Sequence, residues 1–170
     1  FPSWCAGLFG TYGIGSVGLW KFSVVAELGF GRWGGCYSIH SDQSATVAKY
    51  GVMLYSIDLP LLVRAERKAG RGALFIDAGA FLSYVPWAKD LENASSGSAC
   101  SDLVLSIPLL PGACGGLGYE LPLGRGKLSF EIRGDYGFET LTTSTTTGDG
   151  TLSACRLSLL AAYRIPLSVK

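Results

Sequence analysis

The fold class follows from one stretch of the sequence, Lys127-Leu128-Ser129-Phe130-Glu131-Ile132-Arg133-Gly134-Asp135-Tyr136-Gly137-Phe138-Glu139. Its even positions carry apolar side chains or glycine, and its odd positions carry charged residues, one serine and one glycine. Successive side chains of a β-strand point to opposite faces, so a strand here has one apolar face and one charged face. A helix would mix the two kinds on every side. The stretch therefore predicts a β-strand.

The same period-two alternation recurs along the whole chain and predicts an all-β, antiparallel fold within a single domain, residues 1–170. No segment shows a convincing helical period. The six further predicted strands cover residues 5–15, 22–33, 49–66, 72–84, 103–120 and 152–169.

Composition excludes several classes of protein. Hydrophobic residues make up 48% of the chain and charged residues only 16%, which argues against disorder. The 14 Lys and Arg balance 13 Asp and Glu, so no basic excess points to nucleic acid. A membrane-spanning helix needs about 20 apolar residues, and the best run, 103–119, contains Pro108 and Pro111. The first residues also lack the basic start and apolar run of a signal peptide.

The polar faces of the predicted strands contain few lysines and many Gly and Ser residues, which favours a crowded interior over a solvated surface. An outward apolar band around a polar interior is typical of a transmembrane β-barrel. The alternative is a soluble, lipocalin-like carrier with the apolar face inside. In the barrel, the charged side chains are expected to pair with one another inside: Glu27, Asp58, Arg64, Glu66, Asp77, Glu120, Glu131, Arg133, Asp135, Arg156 and Arg164.

The connections alternate in length: residues 16–21, 67–71 and 121–126 are short, and residues 34–47, 85–102 and 140–151 are long and polar. Outer-membrane barrels have short periplasmic turns and longer outer loops. With this alternation the first and last strands run in the same direction, which cannot close an antiparallel barrel. We therefore expect an eight-stranded transmembrane β-barrel in which either one strand is missing before Phe1 or the direction of the first predicted strand is wrongly assigned.

Four segments resemble the strands of the PorT-like family of outer-membrane β-barrels. Residues 56–64 resemble its E-I-P-L-L-L-K-Y strand, and residues 77–84 resemble the Gly-x-Tyr strand that follows. Residues 128–138 are similar to its L-x-x-E-x-R-Y-x-Y-G-L strand, and residues 157–165 resemble its L-x-L-x-x-G-Y-R-F end. OmpX-like and OmpA-like barrels share this architecture. Unlike such barrels, the chain ends in Ser168-Val169-Lys170 and lacks a terminal aromatic residue.

The resemblance implies a bacterial outer membrane as the location, its lipid bilayer as the main partner, and no catalytic residues. The expected function is non-enzymatic and lies in the outer loops, in contact with host or environmental ligands or in envelope maintenance. Transport of small apolar solutes, as in OmpW-like barrels, is an alternative.

No residue pattern points to a catalytic, cofactor or metal site. The stretches 13–18 and 29–34 match Gly-x-Gly-x-x-Gly, but neither precedes a predicted helix, which a dinucleotide site requires. His40 is the only histidine and lies in a predicted loop. Of five cysteines, Cys36 and Cys100 are candidates for a loop disulfide, and Cys114 and Cys155 are expected to be small buried residues. Aromatic residues near predicted strand ends fit an interfacial belt: Trp4, Trp20, Trp33, Trp87, Tyr50, Tyr84 and Tyr163.

Overall fold

The structure, a computed structural model, describes the backbone of most of the chain. The described backbone covers residues 4–41, 44–91, 101–103, 109–145 and 148–165, and the described side chains cover residues 4–32, 53–88, 109–138 and 155–165. Within these ranges the chain forms β-strands and tight turns without helices, which confirms the all-β, antiparallel prediction. No helix there is long and apolar enough to cross a membrane.

Seven long strands and one short strand form a single sheet. Their bounds are β1 Trp4–Val17, β2 Trp20–Ser41, β3 Ser44–Ala69, β4 Gly72–Leu91, β5 Ser101–Leu103, β6 Leu109–Leu123, β7 Gly126–Thr145 and β8 Gly148–Arg164. The sheet order is β1-β2-β3-β4-β6-β7-β8, with every pair antiparallel, and β5 adds only to the end of β4. One bridge, Ser38 with Thr151, joins β2 to β8, but the described sheet does not close into a barrel.

Three two-residue turns lie at one end of the sheet and connect β1 to β2, β3 to β4, and β6 to β7. Each begins with a glycine in the left-handed region: Gly18, Gly70 and Gly124 have φ of 58°, 60° and 59°. Two-residue hairpin turns need positive φ at this position, and glycine adopts it without a steric penalty. These turns agree with the three short connections expected from the sequence.

The three predicted long loops are wrong in extent, because strands fill much of them. β2 continues to Ser41 and β3 begins at Ser44, and Ile39 and Ala48 still pair across that hairpin. Likewise β4 continues to Leu91 and Thr145 pairs with Gly148, whereas residues 104–108 of the predicted 103–120 strand lie outside the described residues. Two strands can pair through backbone hydrogen bonds whatever side chains they carry. The prediction relied on alternating apolar residues, so it interpreted polar paired segments as loops. Trp33, Tyr50 and Tyr84 consequently lie within strands, six or more residues from the nearer end, and not near strand ends.

The two faces of the sheet differ sharply in exposure. On the apolar face, which carries Ile132, the side chains of Leu59 and Leu157 are 49% and 80% exposed. On the charged face, which carries Glu131, Arg64 and Asp77 are 3% and 1% exposed. A soluble protein has the opposite arrangement.

The charged face also holds an apolar cluster that the sequence analysis did not anticipate. Val25, Leu62, Phe81 and Cys114 are buried together, and Phe9 of β1 packs against them. These four residues lie on the same face as the charged side chains. Most residues on that face are Gly, Ser or charged, so the alternation predicted a polar face and gave no sign of the apolar cluster. The cluster shows that the interior is filled by apolar contacts as well as ion pairs.

Candidate functional site

The centre of the charged face is an ion pair between adjacent strands. Arg64 of β3 and Asp77 of β4 are direct neighbours in the register. The Arg64 guanidinium donates from Nε to Oδ1 (2.8 Å) and from Nη2 to Oδ2 (2.6 Å) of Asp77. It also lies over the Phe75 ring, 3.9 Å from the centroid. This two-point geometry is the strong form of an arginine–carboxylate pair, and stacking on a ring adds cation–π attraction.

Arg133 of β7 joins two carboxylates on different strands. It donates to Glu131, two residues earlier in β7, from Nε (2.6 Å) and Nη2 (3.0 Å). It also donates to Glu27 of β2, from Nη1 (2.5 Å) and Nη2 (2.8 Å). Glu131 has a second cation, because Arg64 Nη2 lies 3.7 Å from its Oε2. Glu27 has no second ion-pair partner among the described side chains.

Towards the long-hairpin end, Arg156 of β8 links another pair of carboxylates. Its Nε donates to its cross-strand neighbour Asp135 (2.6 Å), and its Nη1 donates to Asp58 of β3 (2.9 Å). The Ser83 hydroxyl donates to the other Asp58 oxygen, at 2.5 Å. Asp58 therefore receives hydrogen bonds at both carboxylate oxygens.

Towards the turn end, two cations and two glutamates form a third group. Arg164 Nη2 donates to both oxygens of Glu120, at 2.7 Å each, and Lys127 Nζ donates to Glu120 Oε1 at 2.5 Å. Glu66 of β3 lies 3.5 Å from Lys127 and 3.7 Å from Arg164. This group lies at the end of the charged face that is next to the two-residue turns.

Several of these contacts join strands that are not neighbours in the sheet. Arg133 and Glu27 connect β7 with β2, and Arg156 and Asp58 connect β8 with β3. Such pairs can form only if the sheet curves around its charged face. The structure thus brings every interior residue chosen from the sequence into ion pairs: Glu27, Asp58, Arg64, Glu66, Asp77, Glu120, Glu131, Arg133, Asp135, Arg156 and Arg164.

Sequence reasoning missed two polar members of this network, Lys127 and Ser83. Both have the correct parity for the charged face, so the period-two signal could have found them. The specific partners could not be read from the sequence, because Arg133 and Glu27 are 106 residues apart in the chain.

The network is suited to holding strands together rather than to proton transfer. Each of its seven carboxylates has an arginine or lysine nitrogen within 4.0 Å. A general acid or base needs a carboxyl group that can reach a substrate, and these groups are turned towards cations. The described residues also contain no group of three or more potential metal ligands.

The glycine-rich stretch and the two described cysteines singled out in the sequence lie outside the ion-pair network, except that Cys114 shares its face. The glycine stretch 13–18 lies at the end of β1 and leads into β2, so no helix follows it where a dinucleotide site needs one. Cys114 is buried, as expected. Cys155 is exposed because it lies on the apolar face, so the expectation that it is buried was wrong. The side chains of Cys36, Cys100 and His40 lie outside the described residues.

Comparison with known proteins finds no relative: nothing matches this chain among family models, curated proteins or solved structures.

A seam separates the two edge strands, β1 and β8. Residues 5–9 and 160–162 line one part of a groove, and residues 9–13 and 163–165 line the next part. Arg64, Glu131 and Arg133 also line the first part. Both edge strands run in the same direction along the sheet, since the sheet order places an even number of antiparallel steps, six, between β1 and β8. A strand running in the opposite direction could pair with both edges.

Proposed function

We propose that this protein is a small integral β-barrel protein of a bacterial outer membrane, without enzymatic activity. Its three long connections, between β2 and β3, β4 and β6, and β7 and β8, face outward and contact host or environmental ligands or support envelope maintenance. The observation that carries this proposal is the reversed burial of the two faces, apolar outside and charged inside. Water would penalise such a surface, whereas lipid tails would solvate it.

The apolar face has the height that a membrane requires. On β4 the exposed apolar side chains extend from Leu74 to Tyr84, and the exposed ring of Trp87 follows three residues further on, where an aromatic girdle flanks such a band. Ten residue steps of about 3.3 Å make about 33 Å along the strand, or about 25 Å along the membrane normal at a tilt of about 40°. That distance equals the apolar band of outer-membrane barrels, about 25 Å. On β7 the band continues through Phe130, Ile132 and Phe138.

In the membrane the sheet is closed by a further long strand, additional to β1–β8, that runs antiparallel to both β1 and β8. Lipid offers no water to the backbone groups of an open edge, so an unfilled seam would be costly. The seam supports this closure because it has two edges of the same direction. Hydrogen exchange measured on the protein in its native membrane tests it: closure predicts protection of the amides in residues 5–13 and 160–164 equal to that in β3 and β4, and rapid exchange there would contradict it.

The filled interior argues against free diffusion through the barrel. Eight strands enclose a space that side chains are able to fill, and the Arg133–Glu27 and Arg156–Asp58 pairs cross it. The ion pairs therefore hold strands on opposite sides of the interior at fixed distances. Contacts with host or environmental ligands are made by the long connections.

Refolding in detergent and in plain buffer tests the proposal. Urea-unfolded protein is diluted into each, and the gel mobility of boiled and unboiled samples is compared alongside circular dichroism. We expect a β-rich species that forms only in detergent and changes mobility on boiling. A compact, monodisperse β-protein in plain buffer would overturn the proposal and favour a soluble carrier. A variant with residues 144–149 replaced by Asn-Gly is expected to keep the mobility shift, because the hairpin tip lies beyond the apolar band.

A further inference from the structure

Charges are distributed unevenly between the two ends of the sheet. We define the turn end as the residues within four positions of a two-residue turn, together with Arg164, which pairs with Lys127. Half of the 14 Lys and Arg residues lie at the turn end, with only Glu66 and Glu120 to balance them. These cations are Lys21, Arg67, Lys68, Arg71, Arg125, Lys127 and Arg164.

Five of these cations are exposed and have no acidic partner within 4.0 Å among the described side chains. Only Lys127 and Arg164 engage the two glutamates. Arg67 lies over the Trp20 ring, with 5.9 Å between the guanidinium carbon and the ring centroid. The five cations, Lys21, Arg67, Lys68, Arg71 and Arg125, are named the basic rim.

The basic rim adjoins the apolar face directly. Val17 and Leu19 are 73% and 72% exposed beside the first turn, and Leu123 is exposed beside the third. Two tyrosines lie at the same level, and their hydroxyls donate to turn carbonyls: Tyr119 to Ala69 (2.9 Å) and Tyr163 to Leu123 (3.0 Å). Apolar residues, tyrosines and cations in this order are typical of a membrane interface, where cations reach the headgroup level.

From this juxtaposition we infer that the basic rim is a docking surface for anionic phospholipid headgroups in the leaflet on the turn side. The inference rests on the proposed membrane insertion and adds a lipid preference to it. Guanidinium and ammonium groups pair with phosphate oxygens, and the unpaired cations leave the rim with an uncompensated positive charge. A soluble anionic partner would leave the adjoining Val17, Leu19 and Leu123 exposed to water, whereas a lipid leaflet covers them.

The expected size of the effect follows from the charge. Each Lys or Arg close to an anionic lipid surface changes the binding constant about fivefold, and the attraction falls off within a Debye length. Neutralising two cations of the rim is therefore expected to weaken binding to an anionic lipid about 25-fold. Binding to a zwitterionic lipid should change little.

Native mass spectrometry of the detergent-refolded protein tests the inference, with phosphatidylglycerol, phosphatidylcholine and inorganic phosphate as separate probes. The test variant is Lys68→Gln/Arg71→Gln, and the matched control is Lys49→Gln/Lys89→Gln, which removes the same charge from β3 and β4 away from the turns. We expect wild type and control to prefer phosphatidylglycerol, and the test variant to lose about 25-fold in affinity for it.

Three results would overturn the inference: equal affinity for both lipids, equal losses in both double variants, or displacement of phosphatidylglycerol by millimolar inorganic phosphate. The mobility shift on boiling is measured on the same samples and reports folding. Protein that shows the shift but no lipid preference contradicts only the basic rim, whereas protein that forms no β-barrel in detergent contradicts the proposed function as well.

Discussion

Replacing Arg133 by Met should destabilise the folded protein more than any exposed substitution of the same charge. The side chain is 4% exposed and donates four hydrogen bonds to Glu131 and Glu27. Methionine fills similar space but leaves both carboxylates without this cation. Glu131 keeps Arg64 at 3.7 Å, so the uncompensated charge falls mainly on Glu27.

Removing one partner of a buried ion pair costs about 3–5 kcal/mol. The Glu27 side chain is 19% exposed, which allows some hydration once Arg133 is gone. We therefore expect Arg133→Met to lower the free energy of unfolding by about 3 kcal/mol, the lower end of that range. The control Arg71→Met, which removes an exposed cation from a turn, should change it by less than about 0.5 kcal/mol.

The assay is equilibrium urea unfolding of protein folded in vesicles of zwitterionic phosphatidylcholine, where the basic rim contributes little, and it is monitored by tryptophan fluorescence. A double-mutant cycle adds Glu27→Gln alone and combined with Arg133→Met. If Arg133 and Glu27 form the ion pair seen in the structure, the destabilisation of the double variant should be about 1 kcal/mol less than the sum of the destabilisations of the two single variants. Equal stability of Arg133→Met and Arg71→Met, or strict additivity in the cycle, would show that Arg133 and Glu27 do not form a stabilising buried pair.

Two pairs of substitutions probe the surroundings of particular residues. Gly118→Ala would place a Cβ in steric overlap with the Phe130 carbonyl oxygen and the buried Phe75 ring, and it should cost about 1–3 kcal/mol in the same unfolding assay. The Cβ of Gly134→Ala meets no atom within 4 Å, so this substitution should be nearly neutral. Ile132→Arg, in the middle of the apolar face, should destabilise vesicle-folded protein by about 2–4 kcal/mol, and Leu123→Arg beside a turn by no more than about 1 kcal/mol. Equal effects within either pair would contradict the assigned environment.

The strands and their faces could be predicted from the sequence because alternation is a local property. In residues 127–139 each polar side chain is followed by an apolar one, and this fixes both the strand and the side that each residue occupies. The glycines that begin the three turns are local signals as well, since positive φ strongly favours that residue type.

Strand length and side-chain partners could not be predicted in the same way. The β2–β3 hairpin continues through residues such as Ser38 and Lys49, which pair in the backbone although the sequence there no longer alternates clearly between apolar and polar residues. Partners across the interior depend on how the sheet curves. Arg133 reaches Glu27 of β2 because the sheet bends around its charged face, and no short-range pattern encodes that bend.

In the proposed membrane barrel, lipid contacts the apolar face and the charged face is shielded from it. Photolabelling with a phospholipid that carries a trifluoromethylphenyl-diazirine in its tail, followed by tandem mass spectrometry, tests this arrangement on the protein without substitutions. Trypsin releases residues 128–133 as one peptide in which the two faces alternate. We predict label on Leu128, Phe130 and Ile132. Label on Ser129 and Glu131 at an equal level, or none on this peptide in folded protein, would contradict the account.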